Sequence, residues 1–261
     1  MSRVALITGG AQGLGAAAAK RLLADGFAGV VLLDRNLQRL TTQAEELGQL
    51  HRVKIVVADL ANPSTPRLAV TTCVETFGRL DVLVNAAGNT SRCGINDVNS
   101  DMYDALFNVN VKAPLFLMQE AAKVMKRQHS GTIINVSSMI AYGGLPQLGV
   151  YSASKAALNA LTKHAAQEFA WDGIRSFAIA LGWAVTEGEL AMQASLGLPP
   201  DWPQTFGAQM PAGRLIGADD IADLIAYLCT PSAQMMNGTI IDFEQMPQGM
   251  FRAHPALKSS A

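Results

Sequence analysis

The sequence predicts a doubly wound α/β fold, with about seven parallel strands in one sheet and helices on both faces. Three observations predict it. Short β-branched, apolar runs alternate with longer amphipathic stretches along the chain. The short runs are apolar throughout, the pattern of strands buried on both faces. The first of them opens directly into a glycine cluster and then an Ala/Leu-rich stretch, the order of strand, tight turn and helix.

Each element follows in turn from these patterns. The first strand is Val4–Ile7, and the helix after the glycines covers Gly13–Ala24. Strands at Val30–Leu33 and Val53–Val57 enclose a helix at Leu37–Leu47. A helix at Pro66–Phe77 leads to a strand at Val82–Val84, and one long helix is expected over Met102–Lys126. Thr132–Val136 is a strand, Val150–Trp171 a helix and Ser176–Ala180 a strand. A helix at Asp219–Cys229 and a strand at Thr239–Ile241 complete the series. With 261 residues, 49% of them hydrophobic, the chain suits one large domain spanning 1–261. The stretch 187–213 breaks the alternation with Pro199, Pro200, Pro203 and Pro211 beside Trp202 and Phe206. A connection of that length is usually functional, and its apolar content suggests a substrate lid; packing against the body or a second subunit is the alternative.

Composition removes several classes. Twenty basic and 21 acidic side chains leave no basic excess for a nucleic-acid backbone. The apolar runs fall far short of the ~20 residues of a membrane-spanning helix, so no membrane partner is expected. The N-terminal apolar run ends in glycines after a few residues, as a strand does and a signal peptide does not. Cys73, Cys93 and Cys229 are scattered without CxxC spacing, so neither a metal site nor a disulfide framework is expected. A reducing, cytoplasmic setting follows as the expectation.

The segment Thr8-Gly9-Gly10-Ala11-Gln12-Gly13-Leu14-Gly15 sits between the first strand and the first helix. Glycines there let the backbone approach a pyrophosphate, which a helix N-terminus attracts, as in Rossmann-like sheets. Gly9, Gln12, Gly13, Leu14 and Gly15 are therefore candidate cofactor contacts. Asp34 ends the second strand, where a carboxylate can accept from the adenosine ribose hydroxyls and repel a 2′-phosphate. This favours NAD; capping of the next helix is the other role open to Asp34, and Arg35 keeps NADP in play. Asp59 and Leu60 can frame the adenine. Asn85, Ala86 and Gly88, in Asn85-Ala86-Ala87-Gly88, permit close approach, although a tight turn would need the same residues.

Ser138 follows the strand Thr132–Val136, and Tyr151 and Lys155 stand in Tyr151-Ser152-Ala153-Ser154-Lys155. Four residues apart, Tyr151 and Lys155 share one helical face. An ammonium beside a phenol favours the phenolate, so Tyr151 is expected to titrate below its ordinary value and to exchange a proton with an alcohol or carbonyl oxygen. Ser138 can hydrogen-bond that same oxygen.

In order and spacing, Thr8-Gly9, Gly13, Gly15, Asn85-Ala86-Ala87-Gly88, Asn110, Ser138, Tyr151 and Lys155 resemble the single-domain short-chain dehydrogenases/reductases over essentially the whole chain. The resemblance implies that Tyr151 is the general acid/base and that Lys155 holds the nicotinamide ribose and tunes the phenol. It implies that Ser138 orients the substrate oxygen and that Asn110 supports a water-linked proton relay. It places Gly182 and Thr186 at the nicotinamide, and it implies a homotetramer or homodimer. Two departures stand out. Leu181 occupies the family's usual proline position, and Phe243-Glu244-Gln245 replaces an acidic residue with two glycines.

The stretch 187–213 has no Lys or Arg, whereas phosphorylated or coenzyme A substrates call for cationic anchors. A neutral small-molecule substrate is therefore expected, a secondary alcohol or ketone, cyclic or a polyol, with Trp183 lining its pocket. Arg92 is the one nearby cation able to take a carboxylate, if it is not simply a surface side chain. Ketone reduction with NADPH, or a dinucleotide-sensing protein without catalysis, are the competing readings.

Overall fold

The computed structural model describes residues 3–246; the expected domain of 1–261 extends past them at both ends. The chain runs β1 (Val4–Thr8), α1 (Gly13–Ala24), β2 (Gly29–Asp34), α2 (Leu37–Glu46), β3 (Val53–Val57), α3 (Thr65–Phe77), β4 (Val82–Asn85), α4 (Ser100–Phe107) and α5 (Ala113–Gln128). It continues through β5 (Gly131–Val136), α6 (Gly149–Glu168), β6 (Ile174–Leu181), β7 (Ala184–Val185), α7 (Glu187–Ser195), α8 (Trp202–Gly207), β8 (Ile216–Gly217), α9 (Ala218–Leu228) and β9 (Ile240–Phe243).

Seven parallel strands pair in the order β3-β2-β1-β4-β5-β6-β9, as the apolar strands predict. The central strands are buried from end to end, so each face of the sheet must be covered. On one face Leu22 of α1, Leu40 of α2 and Ile221 and Ile225 of α9 pack against Ile7 and Leu32. On the other, Val70 of α3, Leu117 and Met118 of α5 and Ala165 of α6 pack against Leu6 and Leu83. Each fully buried Leu or Ile side chain contributes roughly 1.5–3 kcal/mol of transfer free energy.

The strand order reverses beside β1, which has β2 on one side and β4 on the other. In such sheets the crevice beyond the carboxyl ends of the strands at this reversal holds the ligand. Every candidate residue named above lies near that end of the sheet or on the segments that rise from it.

Three elements differ from the sequence reading. The long helix expected over 102–126 is two helices joined by a π-helical turn at Asn108–Lys112. A wider turn of this kind is rare and tends to occur at functional sites; here it turns Asn110 inward, to 1% exposure. The helix expected to reach Trp171 ends at Glu168, followed by a 3₁₀ turn at Ala170–Asp172. The 187–213 stretch folds into α7 and α8, and β7 and β8 form a two-residue parallel pair at its base.

Candidate active site

The glycine loop is built by close backbone contact. Gly9 has a φ of 67°, and a side chain on Gly15 would put its Cβ 2.3 Å from the Gly9 carbonyl oxygen. The Ala87 N–H donates to Thr8 Oγ1 at 3.1 Å, fastening the loop after β4 to the end of β1. No side chain caps the N-terminus of α1, so its first amides are free for an anion. Gln12 precedes the helix in extended backbone, and its buried Oε1 has no partner among the described residues. An uncapped helix start behind a loop too tight for a side chain at Gly15 fits a dinucleotide pyrophosphate; Gln12 Oε1, an acceptor, suits a hydroxyl donor and not a phosphate oxygen.

Asp34 is half-buried at the end of β2. Its Oδ1 accepts from Asn36 N at 3.1 Å, while Asn36 itself caps α2 by accepting from Arg39 N. Capping is thus done by Asn36, and Asp34 Oδ2 has no partner among the described residues. Asp59 is exposed, with Oδ1 held by Ala61 N at 2.8 Å, and Leu60 is half-buried beside it. Asn85 stands at the end of β4. It is 2% exposed and donates through Nδ2 to Asn135 Oδ1 at 2.8 Å, in the sheet interior. Its Oδ1 has no partner among the described residues, and Ala86 and Gly88 after it leave room for close approach.

The structure brings Ser138, Tyr151, Lys155 and Asn110 together. Lys155 is 3% exposed, and its ammonium donates to the Val136 carbonyl at 2.8 Å. Burial lowers its pKa from 10.5 to about 8. The ammonium lies 5.7 Å from the Tyr151 ring centroid. A Cβ on Gly88 would fall 3.6 Å from Lys155 Nζ and 3.7 Å from Asn110 Oδ1, so this glycine borders both groups. Ser138 donates to the Leu181 carbonyl at 3.4 Å and accepts from Ile140 N at 3.2 Å.

The Tyr151 phenol titrates in the opposite direction to the sequence expectation. Burial pushes it up to about 12; a hydrogen bond with Ser138 pulls it down and the Glu189 carboxylate pushes it up. In a desolvated site the charged form is penalised, and Lys155 is committed to Val136 at this distance. Asn110 accepts from Asn89 N at 2.8 Å and donates to Asn89 O and Ser154 Oγ. It therefore bolts the loop after β4 to α6, one turn from Tyr151.

Leu181, in place of proline, extends β6, and Gly182 N donates to Phe243 O at 2.9 Å. Thr186 caps α7 by accepting from Glu189 N at 3.2 Å, and its Cβ stands 3.4 Å from where a Gly13 side chain would begin. The segment after β6 thus folds over the glycine loop. Trp183 stacks on buried Trp202, with ring centroids 4.7 Å apart, and meets Phe206 at 5.1 Å. Arg92 is half-buried in the loop after β4. At the C-terminal departure, Gln245 accepts from Ala212 N and donates to Arg214 O, tying β9 to the far end of the 187–213 stretch.

Glu189 is a functional candidate that the sequence does not single out. Glu189 accepts from Trp183 Nε1 at 2.8 Å and from Gln193 Nε2 at 2.5 Å. Its signal was present as two acidic residues, Glu187 and Glu189, in the first turn of that stretch. Among the described residues there is no cluster of His, Cys, Asp and Glu able to hold a metal, and no helix long and apolar enough to cross a membrane.

Comparison with known proteins identifies the family. The sequence model of the short chain dehydrogenase family matches residues 3–195. Galactitol 2-dehydrogenase of Agrobacterium fabrum is 35% identical over 237 residues, covering 88% of this chain and 91% of its own. Among solved structures, levodione reductase superposes with a TM-score of 0.86 at 28% identity, covering 93% of this chain and 96% of its own. Actinorhodin polyketide ketoreductase, solved with NADPH, has a TM-score of 0.86 at 25% identity, covering 92% and 95%. The chain is an oxidoreductase that belongs to the short-chain dehydrogenase/reductase family, whose members bind a nicotinamide cofactor.

Proposed function

We propose that the protein is an NAD-dependent oxidoreductase for a neutral secondary alcohol or its ketone, cyclic or a polyol. The observation that carries this reading is the convergence of Tyr151, Lys155 and Ser138 beside the glycine cradle. An oxidised nicotinamide bound there would supply a two-electron hydride acceptor. In oxidation Tyr151, once it has released its own proton, takes the carbinol O–H proton while the carbinol hydrogen leaves with its bonding pair to the nicotinamide. In reduction the protonated phenol gives that proton to the carbonyl oxygen. With the phenol pushed up to about 12, Tyr151 holds its proton at neutral pH, the form that reduction uses.

Ser138 hydrogen-bonds the substrate oxygen as charge develops there. Lys155, bonded to Val136 through one N–H, keeps its other donors for the nicotinamide ribose. Asn110 retains acceptor capacity on Oδ1 for a water on the proton path. Gly182 and Thr186 hold the carboxamide end, and Trp183 lines the pocket. Residues 187–213 act as the lid. Exposed Tyr103, Leu115 and Phe116 on α4 and α5 support assembly as a homotetramer or homodimer.

Preference for NAD rests on Asp34, whose free Oδ2 suits ribose hydroxyls and opposes a 2′-phosphate. Exposed Arg35 favours a second reading, ketone reduction with NADPH. The test is absorbance at the reduced-nicotinamide band, with NAD and with NADP, against neutral secondary alcohols, cyclic alcohols and polyols. Turnover with NAD that falls by about 100-fold or more in Tyr151→Phe, with cofactor binding retained, is the expected result. Equal or faster turnover with NADP would shift the assignment to the second reading.

A further inference from the structure

We propose that Glu189 and Trp183 form a second recognition point in the active site, taking a hydroxyl next to the reacting carbinol, so that the substrate is a vicinal diol or polyol rather than a simple alcohol. The proposal rests on the reading of Tyr151 as the group that exchanges the carbinol proton.

Glu189 is a built feature rather than a loose surface acid. Its backbone N–H is held by the Thr186 cap at 3.2 Å. Trp183 Nε1 and Gln193 Nε2 both donate to the same carboxylate oxygen, Oε1, and Gln193 is itself 5% exposed. Oε2 has no partner among the described residues. A carboxylate accepts up to about four hydrogen bonds, so capacity remains on a side chain already fixed in place.

Ser138 donates to the Leu181 carbonyl at 3.4 Å, two residues before Trp183, whose N–H holds Glu189 at 2.8 Å, so the carboxylate belongs to the same site as Tyr151, and its charge works to raise the phenol pKa. An anion beside a base that must itself become anionic works against oxidation of a simple alcohol. A substrate donor on Oε2 offsets this by spreading the charge into a hydrogen bond, and hydrogen bonds to ionised groups are the strong ones. No Lys or Arg lies in 187–213 to neutralise it instead.

Trp183 supplies the other half. Its N–H is spent on Glu189, and its ring belongs to an apolar wall with Trp202 and Phe206. An aromatic face for C–H groups next to a carboxylate for O–H groups matches a polyhydroxylated carbon skeleton. A substrate ammonium fits less well, because the buried Lys155 cation already lies 5.7 Å from the Tyr151 ring.

The experiment compares cyclohexanol with the vicinal cyclohexanediols, measuring kcat and KM with NAD for the wild type, Glu189→Gln and Glu189→Ala. Wild type should favour a diol by about tenfold or more in kcat/KM, chiefly through KM, with that ratio collapsing toward one in both variants. Equal turnover of mono-ol and diol by the wild type overturns the proposal without any variant. A diol preference that survives both substitutions assigns Glu189 to holding Trp183 alone and also overturns it. Aminocyclohexanol preferred over the diols, with the preference lost in Glu189→Gln, makes this an ammonium site and overturns the hydroxyl assignment. Failure of the underlying reaction reading looks different: no alcohol is turned over by the wild type although the cofactor binds, and both readings then fall together.

Discussion

Replacing Lys155 by Met should stabilise the protein while removing its activity. The ammonium is 3% exposed, and burial lowers its pKa from 10.5 to about 8. At roughly 1.4 kcal/mol per pH unit, the charge destabilises the fold by about 3 kcal/mol at pH 7. The sign follows from proton counting. Below pH 8 both folded and unfolded chains carry the proton, and the full penalty applies. Between pH 8 and 10.5 the folded state releases it while the unfolded chain keeps it, so stability rises with pH. By pH 9.5 the residual penalty is about 1 kcal/mol. Met also forfeits the bond to the Val136 carbonyl, a pH-independent loss of about 1 kcal/mol. The variant should therefore exceed the wild type by about 2 kcal/mol at pH 7 and match it near pH 9.5. Urea unfolding at both pH values, at one protein concentration because an oligomer's midpoint depends on it, measures the difference. A variant less stable than the wild type at pH 7, or a difference that does not change with pH, would refute the buried-charge account.

Three further outcomes follow from the same geometry. Gly15→Ala places a methyl 2.3 Å from the Gly9 carbonyl, and should abolish dinucleotide binding in a titration calorimeter and lower the melting temperature; undiminished binding would mean that the loop rearranges freely. Asp34→Ser removes a carboxylate whose Oδ2 is free, and should lower kcat/KM for NAD by about tenfold while improving that for NADP; an unchanged ratio would transfer selectivity to other residues. For ketone reduction, kcat/KM should be level on the acid side and fall above pH of about 8, where Lys155 loses its proton while Tyr151 retains its own; a profile level well above that pH would show that the Lys155 charge is not needed.

Much of the fold was readable because parallel strands buried on both faces leave a continuous apolar trace, as in Val30–Leu33. Tyr151 and Lys155 were readable because helical spacing fixes which residues share a face. The break at Asn108–Lys112 was not, since Asn-Val-Asn-Val-Lys contains neither Gly nor Pro and the apolar rhythm persists on both sides. The burial of the Asn85 amide was not readable, because its partner, Asn135, lies 50 residues away on the adjacent strand. The pKa direction at Tyr151 depends on how completely the fold removes water, which a spacing of four residues does not encode. The place of Glu189 is not legible in the sequence because it comes from Trp183 and Gln193, and those contacts exist only once α7 has folded back onto the segment after β6.

The π turn has a consequence of phase. An α-helix advances about 100° per residue, so one surplus residue rotates α5 by roughly that angle about its axis relative to α4. Leu106, just upstream, packs with Cys93 and Val150 near Tyr151. Leu117 and Met118, just downstream, pack with Val70 and Leu83 in the sheet core. The surplus residue lets one continuous rod address two different neighbourhoods. A chain one residue shorter in this stretch would keep every side chain type yet aim either Leu106 or Met118 at water. The number of residues from α4 through the π turn to the end of α5 is accordingly constrained more tightly than most of their identities.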